Sequence, residues 1–154
     1  MIKIIPGFNE TVVLPIKADE IFMLLEEATS DKPFIQSNEK TLLFNGWIKE
    51  DRFRISLRVH RANNYIPLVI GQIESTRSGS ILLVDYKLFP TTRFLLLFWT
   101  IVLLFGSIFA TYQTDNLLYL IGGVFFITLI YSIVRSNFML QLKPTREALH
   151  RLFL

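Results

Sequence analysis

The sequence predicts a membrane α+β fold: a small antiparallel sheet with one or two amphipathic helices, joined to a two-helix transmembrane hairpin. Three observations carry this reading. Phe94 to Tyr112 and Leu117 to Val134 are nineteen and eighteen residues without a charged side chain. The region before them alternates apolar and polar residues at period two, as half-buried strands do. Basic residues collect at the outer ends of the apolar runs, where membrane topology places them.

Composition agrees. Hydrophobic residues make up 51% of the 154 and charged residues 19%, more apolar and less charged than an ordinary soluble domain. The net charge of +3 is not spread evenly, because residues 1–92 hold eleven Lys/Arg and eleven Asp/Glu. The excess comes from Arg93, Arg135, Lys143, Arg146 and Arg151, which argues against a nucleic-acid partner. With no cysteine, disulfides and thiolate metal sites are excluded. Pro6, Gly7, Asn9 and Glu10 interrupt the N-terminal apolar residues, so no cleavable signal is expected. The expected organisation is a cytoplasmic α+β domain over 1–92, a transmembrane hairpin over 93–135, and a cytoplasmic strand and helix over 136–154 that complete the domain.

Within 1–92, a short strand over Thr11 to Leu14 precedes an amphipathic helix. Ile21, Leu24, Leu25 and Ala28 fall at i, i+3, i+4 and i+7, and Asp19 and Glu20 suit the helix N-terminus. The stretch TSDKPFIQSNEK reads as a loop. TLLFNGWI is a strand that the connection KED joins to Arg52 to His60, where Phe53, Ile55, Leu57 and Val59 alternate with Arg52, Arg54, Ser56, Arg58 and His60. LVIGQIE and ILLVDYKLF form a further hairpin around STRSG, with Gly79 available for positive φ. Together the four form an antiparallel meander with the helix on one face.

Either apolar run covers nearly the ~30 Å hydrocarbon core as a helix. The connector Gln113 to Asn116 contains no Lys or Arg, whereas Arg77, Lys87, Arg93, Arg135, Lys143, Arg146 and Arg151 flank the other ends. Both termini are therefore expected on the cytoplasmic side of the inner membrane. Gly106, Ala110, Gly122 and Gly123 are expected to pack the hairpin, the glycines facing one another at equal depth. The spans lack ionisable residues, and Thr100, Ser107, Thr111, Thr128 and Ser132 can bond their own helix backbone, which argues against an ion-coupled transporter. After the hairpin, Phe138, Leu140 and Leu142 suit a strand, with Pro144 opening a helix that turns Leu149, Leu152 and Phe153 inward. The competing reading continues the second span to about Lys143 and lays the tail on the lipid surface.

Two resemblances follow from these residues. TVVLPIKADEIFMLLEEATSD, a strand passing into a helix, resembles the helix-grip domains of the START superfamily. That likeness implies strand, helix, meander and closing helix, with an apolar ligand enclosed between sheet and helix. The pattern around FNGWI, FRISLRV and RANNYIPLVIGQIE, with Asn64, Pro67, Gly71 and Ile73, resembles small bacterial membrane proteins with a C-terminal two-helix hairpin, a group that implies no activity.

No nucleophile with a base, metal set or catalytic carboxylate pair stands out. His60 and His150 lack ligand spacing, Glu26/Glu27 and Glu50/Asp51 read as solvated surface, and the sequon at Asn9 to Thr11 is unused on a cytoplasmic face. No cofactor or metal is expected. The candidate interaction residues are a basic face of Arg52, Arg54, Arg58, His60 and Arg61, suited to anionic lipid headgroups or an acidic partner, and a contact loop of Asn64, Tyr65 and Pro67. The expected function is a non-enzymatic membrane adaptor, accessory or regulatory protein. The alternatives are a lipid or apolar-ligand binding module and a small oligomeric membrane effector or immunity protein.

Overall fold

The structure, a computed structural model, describes residues 5–30, 42–49, 51–59 and 63–153. Six strands form one sheet in the order β1-β6-β5-β4-β3-β2. In chain order the elements are β1 (Gly7–Leu14), α1 (Ala18–Ala28), β2 (Thr29–Ser30), β3 (Phe44–Lys49), β4 (Arg52–Leu57), β5 (Leu68–Thr76), β6 (Gly79–Lys87), α2 (Pro90–Thr114) and α3 (Leu118–His150). The expected meander is β3 to β6. Sequence left β1 unplaced, and it closes the sheet by pairing antiparallel with β6. The two-residue β2 adds a short parallel edge beside β3. Most of the loop expected over TSDKPFIQSNEK lies outside the described residues.

Period two divides the sheet into unlike faces. On one face the register aligns Ile48, Phe53, Gly71, Val84 and Glu10 across five strands, and Ile55, Val69, Tyr86 and Phe8 in the next row. The bulky apolar members of these rows belong to one core, which Ile21, Leu25 and Ala28 of α1 and Phe138, Leu142 and Leu149 of α3 also enter. Both helices thus cover the same face. Gly71 is required here, because a Cβ would overlap the ring of Phe53, its cross-strand partner. The other face carries Trp47, Arg54, Ile70, Asp85 and Asn9 in one row and Lys49, Arg52, Gln72, Leu83 and Thr11 in the next. No helix lies over those rows among the described residues.

The strand expected over Arg52 to His60 ends at Leu57, opposite Phe44, the first residue of β3. Arg58 leaves the ladder, its backbone N–H bonding the Leu43 carbonyl at 2.8 Å.

The clearest departure concerns residues 136–154. Phe138, Leu140 and Leu142 form no strand, and Pro144 opens no new helix: α3 runs unbroken from Leu118 to His150. From the last residue of the apolar run onward its buried residues are Val134, Phe138, Leu142, Thr145 and Leu149, a stripe spaced four, four, three and four. That stripe meets the sheet, whereas period two would have buried Leu140, which is 67% exposed. Pro144 costs the helix the N–H that would bond the Leu140 carbonyl, but both residues lie on the exposed side, and Thr145 Oγ bonds the Gln141 carbonyl at 2.8 Å beside the gap.

Both α2 and α3 are long and apolar enough to cross a membrane, and their most apolar stretches are only 6% and 11% buried. Proline at N1 opens α2, where a missing N–H costs nothing. Asp115 in the left-handed conformation and Asn116, whose Oδ1 accepts the Leu118 N–H at 3.0 Å, make the tight turn. Thr100, Ser107, Thr111, Thr128 and Ser132 all bond the carbonyl four residues earlier. The glycines do not face one another. Gly123 alone sits at the crossing, where a Cβ would overlap the Ser107 side chain, while Gly106 and Gly122 open outward with nothing nearby. Each helical residue turns about 100°, so Gly106 and Gly122, the neighbours of the contact positions Ser107 and Gly123, point away.

Candidate functional site

Among the described residues three places concentrate polar chemistry: a carboxylate clamp, the uncovered sheet face, and a crevice where the sheet meets the hairpin.

The clamp centres on Glu10. Period two places this carboxylate on the packed face of β1, between Phe8 and Val12, and its side chain is 8% exposed. Such a charge needs partners. Tyr86 donates its hydroxyl to Oε1 at 2.8 Å, His150 Nε2 donates to the same oxygen at 2.8 Å, and Arg146 Nε donates to Oε2 at 2.5 Å. Arg146 also stacks on the Phe8 ring, 5.6 Å from its centroid. Burial pushes the Glu10 carboxyl up, but the hydrogen bonds from His150 and Tyr86 and the charges of His150 and Arg146 outweigh it and hold it below its ordinary value. Burial, the bond to Glu10 and the carboxylate charge push the Tyr86 hydroxyl up. The clamp ties β1 and β6 to the last turns of α3, positions 136 to 140 residues apart in sequence. Sequence reasoning passed over it. Its one visible signal is Glu10 occupying the inward phase of β1.

Arg52 and Arg54 lie on the uncovered sheet face, beside Lys49 and the 41% exposed Trp47. Asp51, which forms an ion pair with Arg52 at 3.8 Å and accepts a hydrogen bond from Gln72 at 3.3 Å, caps one end of the row. Arg58 follows the strand and is half-buried. His60 and Arg61 lie outside the described residues, as does Glu50. Val13, at 75% exposure, and Leu83 add apolar area across β1 and β6.

The contact loop does not stand free. Asn64 is exposed, but Tyr65 is half-buried against the core and Pro67 is buried. Asn63 Oδ1 accepts the Tyr65 N–H at 2.9 Å, an Asx-type turn. The Asn64 carbonyl accepts from Thr92 Oγ at 3.0 Å, fastening the loop to the first turns of α2. Tyr65, Thr92, Leu96, Trp99, Ile130 and Val134 there line a crevice of about 160 Å³. Deeper in the hairpin, Thr100 reaches Tyr131 Oη at 3.3 Å across the two helices.

The region between sheet and helices, where the START likeness would place a ligand, is occupied by Phe44, Phe53, Ile55, Tyr86, Phe138 and Leu149, all fully buried. Among the described residues no cluster of three His, Asp or Glu could hold a metal.

No protein-family model matches the chain, and no curated protein does. One solved structure is similar over 88% of each chain: the solution structure of a Polyketide_cyc-like protein from Corynebacterium glutamicum, at 11% identity and a TM-score of 0.29. A likeness that loose carries no argument, and the fold rests on the strand order and helix placement described above.

Proposed function

We propose that the chain is a non-enzymatic two-pass protein of the cytoplasmic membrane, with both termini on the cytoplasmic side, whose domain docks an acidic protein partner. The hairpin is the anchor. Its apolar side chains, Phe94, Phe105, Phe109, Phe125 and Phe126 among them, point outward, and so large an apolar surface is stable only against lipid or protein. The absence of Lys and Arg from the turn, against seven flanking the other ends, supports the orientation.

The observation that carries the docking reading is the contrast between the two sheet faces. One is packed under α1 and α3, while the other offers Trp47, Lys49, Arg52 and Arg54 on adjacent strands with Ile70 and Leu83 beside them. Trp and Arg in a shared patch are the residue types that dominate binding energy at interfaces. Purification from the native membrane should bring down one partner in fixed stoichiometry. Trp47→Ala, and separately Arg52→Glu with Arg54→Glu, should weaken its retention by about thirtyfold, the ratio for a hot-spot residue worth ~2 kcal/mol. Retention unchanged by both, or a homo-oligomer with no second protein, would contradict the proposal.

A further inference from the structure

The uncovered sheet face is not flat. A groove of about 470 Å³ crosses its strands from β1 to β4. One wall is the row Thr11, Leu83, Gln72 and Arg52, and the other is Asn9, Asp85 and Ile70 in the next row. Between the walls run Glu10, Val84 and Gly71, which belong to the packed face, so main chain forms the floor. Prolonged past β4, the same valley passes between Lys49 and Trp47 on β3, with Arg54 beside it.

Rows on one face of a sheet stand two residues apart, roughly 7 Å. A single extended chain fits that width, whereas an α-helix, about 10 Å across with its side chains, would bridge the walls without reaching the floor. From Thr11 to Lys49 the row crosses four strand spacings, roughly 19 Å, which an extended segment covers in about six residues. Charge along the groove is uneven. Among the described residues the one ion pair made by Lys49, Arg52 and Arg54 is that of Arg52 with Asp51, between two exposed groups. At the β1 end the carboxylate is Asp85, already held by Lys87 at 2.7 Å, and the remaining wall groups are the Asn9 amide and the Thr11 hydroxyl. Midway, Ile70 and Leu83 supply apolar contact.

We infer that the acidic partner inserts an extended segment of about six residues into this groove, its carboxylates over β4 and β3 and an apolar side chain between Leu83 and Ile70. This groove site rests on the docking reading above and deepens it, because it carries the interface to β1, three strands from β4.

The test uses the full chain in its native membrane, with the photoreactive residue benzoylphenylalanine in place of Thr11 or, separately, of Lys49. The protein that co-purifies in fixed stoichiometry is cross-linked, and its attachment points are read by mass spectrometry. Both positions should attach to one segment of that protein, about six residues apart, with Asp or Glu beside the Lys49 attachment. Thr11→Trp, which fills the β1 end from an exposed position, should reduce retention about tenfold. Attachment points about thirteen residues apart would mean a helix laid over the walls. That result, attachment from Lys49 but not from Thr11, or retention indifferent to Thr11→Trp would each overturn the groove site and leave the docking face standing. No attachment from either position, with retention also indifferent to Trp47→Ala, would overturn both.

Discussion

The two halves of α3 are one helix with two kinds of surface. From Leu118 to about Ile133 it is apolar on nearly every side, and its large side chains stay exposed: Phe125, for example, is 62% exposed. From Val134 to His150 the buried residues form one stripe, and the opposite side carries Arg135, Ser136, Lys143 and Glu147 beside the exposed Met139 and Leu140. The first half is written for an environment that surrounds it, the second for a sheet that touches one face. The backbone does not register the change. A helix satisfies its own N–H and C=O groups in either setting, so the boundary is a matter of side chains alone.

Substitutions in the two halves should therefore differ sharply. Phe138→Ala removes a fully buried ring and should cost about 3–5 kcal/mol, whereas Phe125→Ala should cost about 0.5 kcal/mol or less. Paired unfolding measurements on the two variants check this, and similar losses would erase the distinction. The clamp fixes the far end of the second half. Glu10→Ala leaves Tyr86, His150 and Arg146 without their shared acceptor and should destabilise the domain by about 2 kcal/mol, a partial loss because Arg146 can regain water. The Glu10 carboxyl is held below its ordinary 4.5. Its contribution is complete above the unfolded carboxyl value and is lost as pH falls through the lower folded value. Thermal melting should show a stability step in that acid range for the native chain, and Glu10→Gln should flatten it.

In the hairpin half, Gly123→Val would meet the Ser107 side chain and should cost about 1–2 kcal/mol, while Gly122→Val, pointing outward, should be silent. Helix association measured in bilayers separates the two. The smallest effect is at the turn, where Asp115 has φ 50°. Asp115→Gly relieves that conformation and should stabilise the hairpin by under about 1 kcal/mol, read from the same association assay.

What sequence made legible follows the range of the interaction. Alternation over Phe53 to Leu57 and the i, i+3, i+4 spacing of Ile21, Leu24 and Leu25 are local, so the meander and α1 could be read directly. The hydroxyl bonds of Thr100 to Ser132 are local too. The partner of β1 and the clamp from Glu10 to Arg146 and His150 depend on chain returning after more than seventy and more than a hundred residues, and no spacing encodes that. Phe138 and Leu142 fit both periods, whereas Leu140 fits only period two. Only the sheet facing Phe138 and Leu142, and not Leu140, decides between them. Arg52 and Arg54 were readable as a face because a strand has only two, whereas the crevice joins a loop to two helices and exists only in the assembled fold.

The fold depends most on α3 being continuous. Because the chain has no cysteine, single cysteines can be placed in turn from Phe138 to Thr145 and spin-labelled, and the side-chain mobility read from the resonance line shape. A continuous helix over the sheet predicts immobilised labels at Phe138, Leu142 and Thr145 and a mobile one at Leu140. Immobilised labels at Phe138, Leu140 and Leu142, alternating with mobile ones at Met139 and Gln141, would mean a strand and would contradict it.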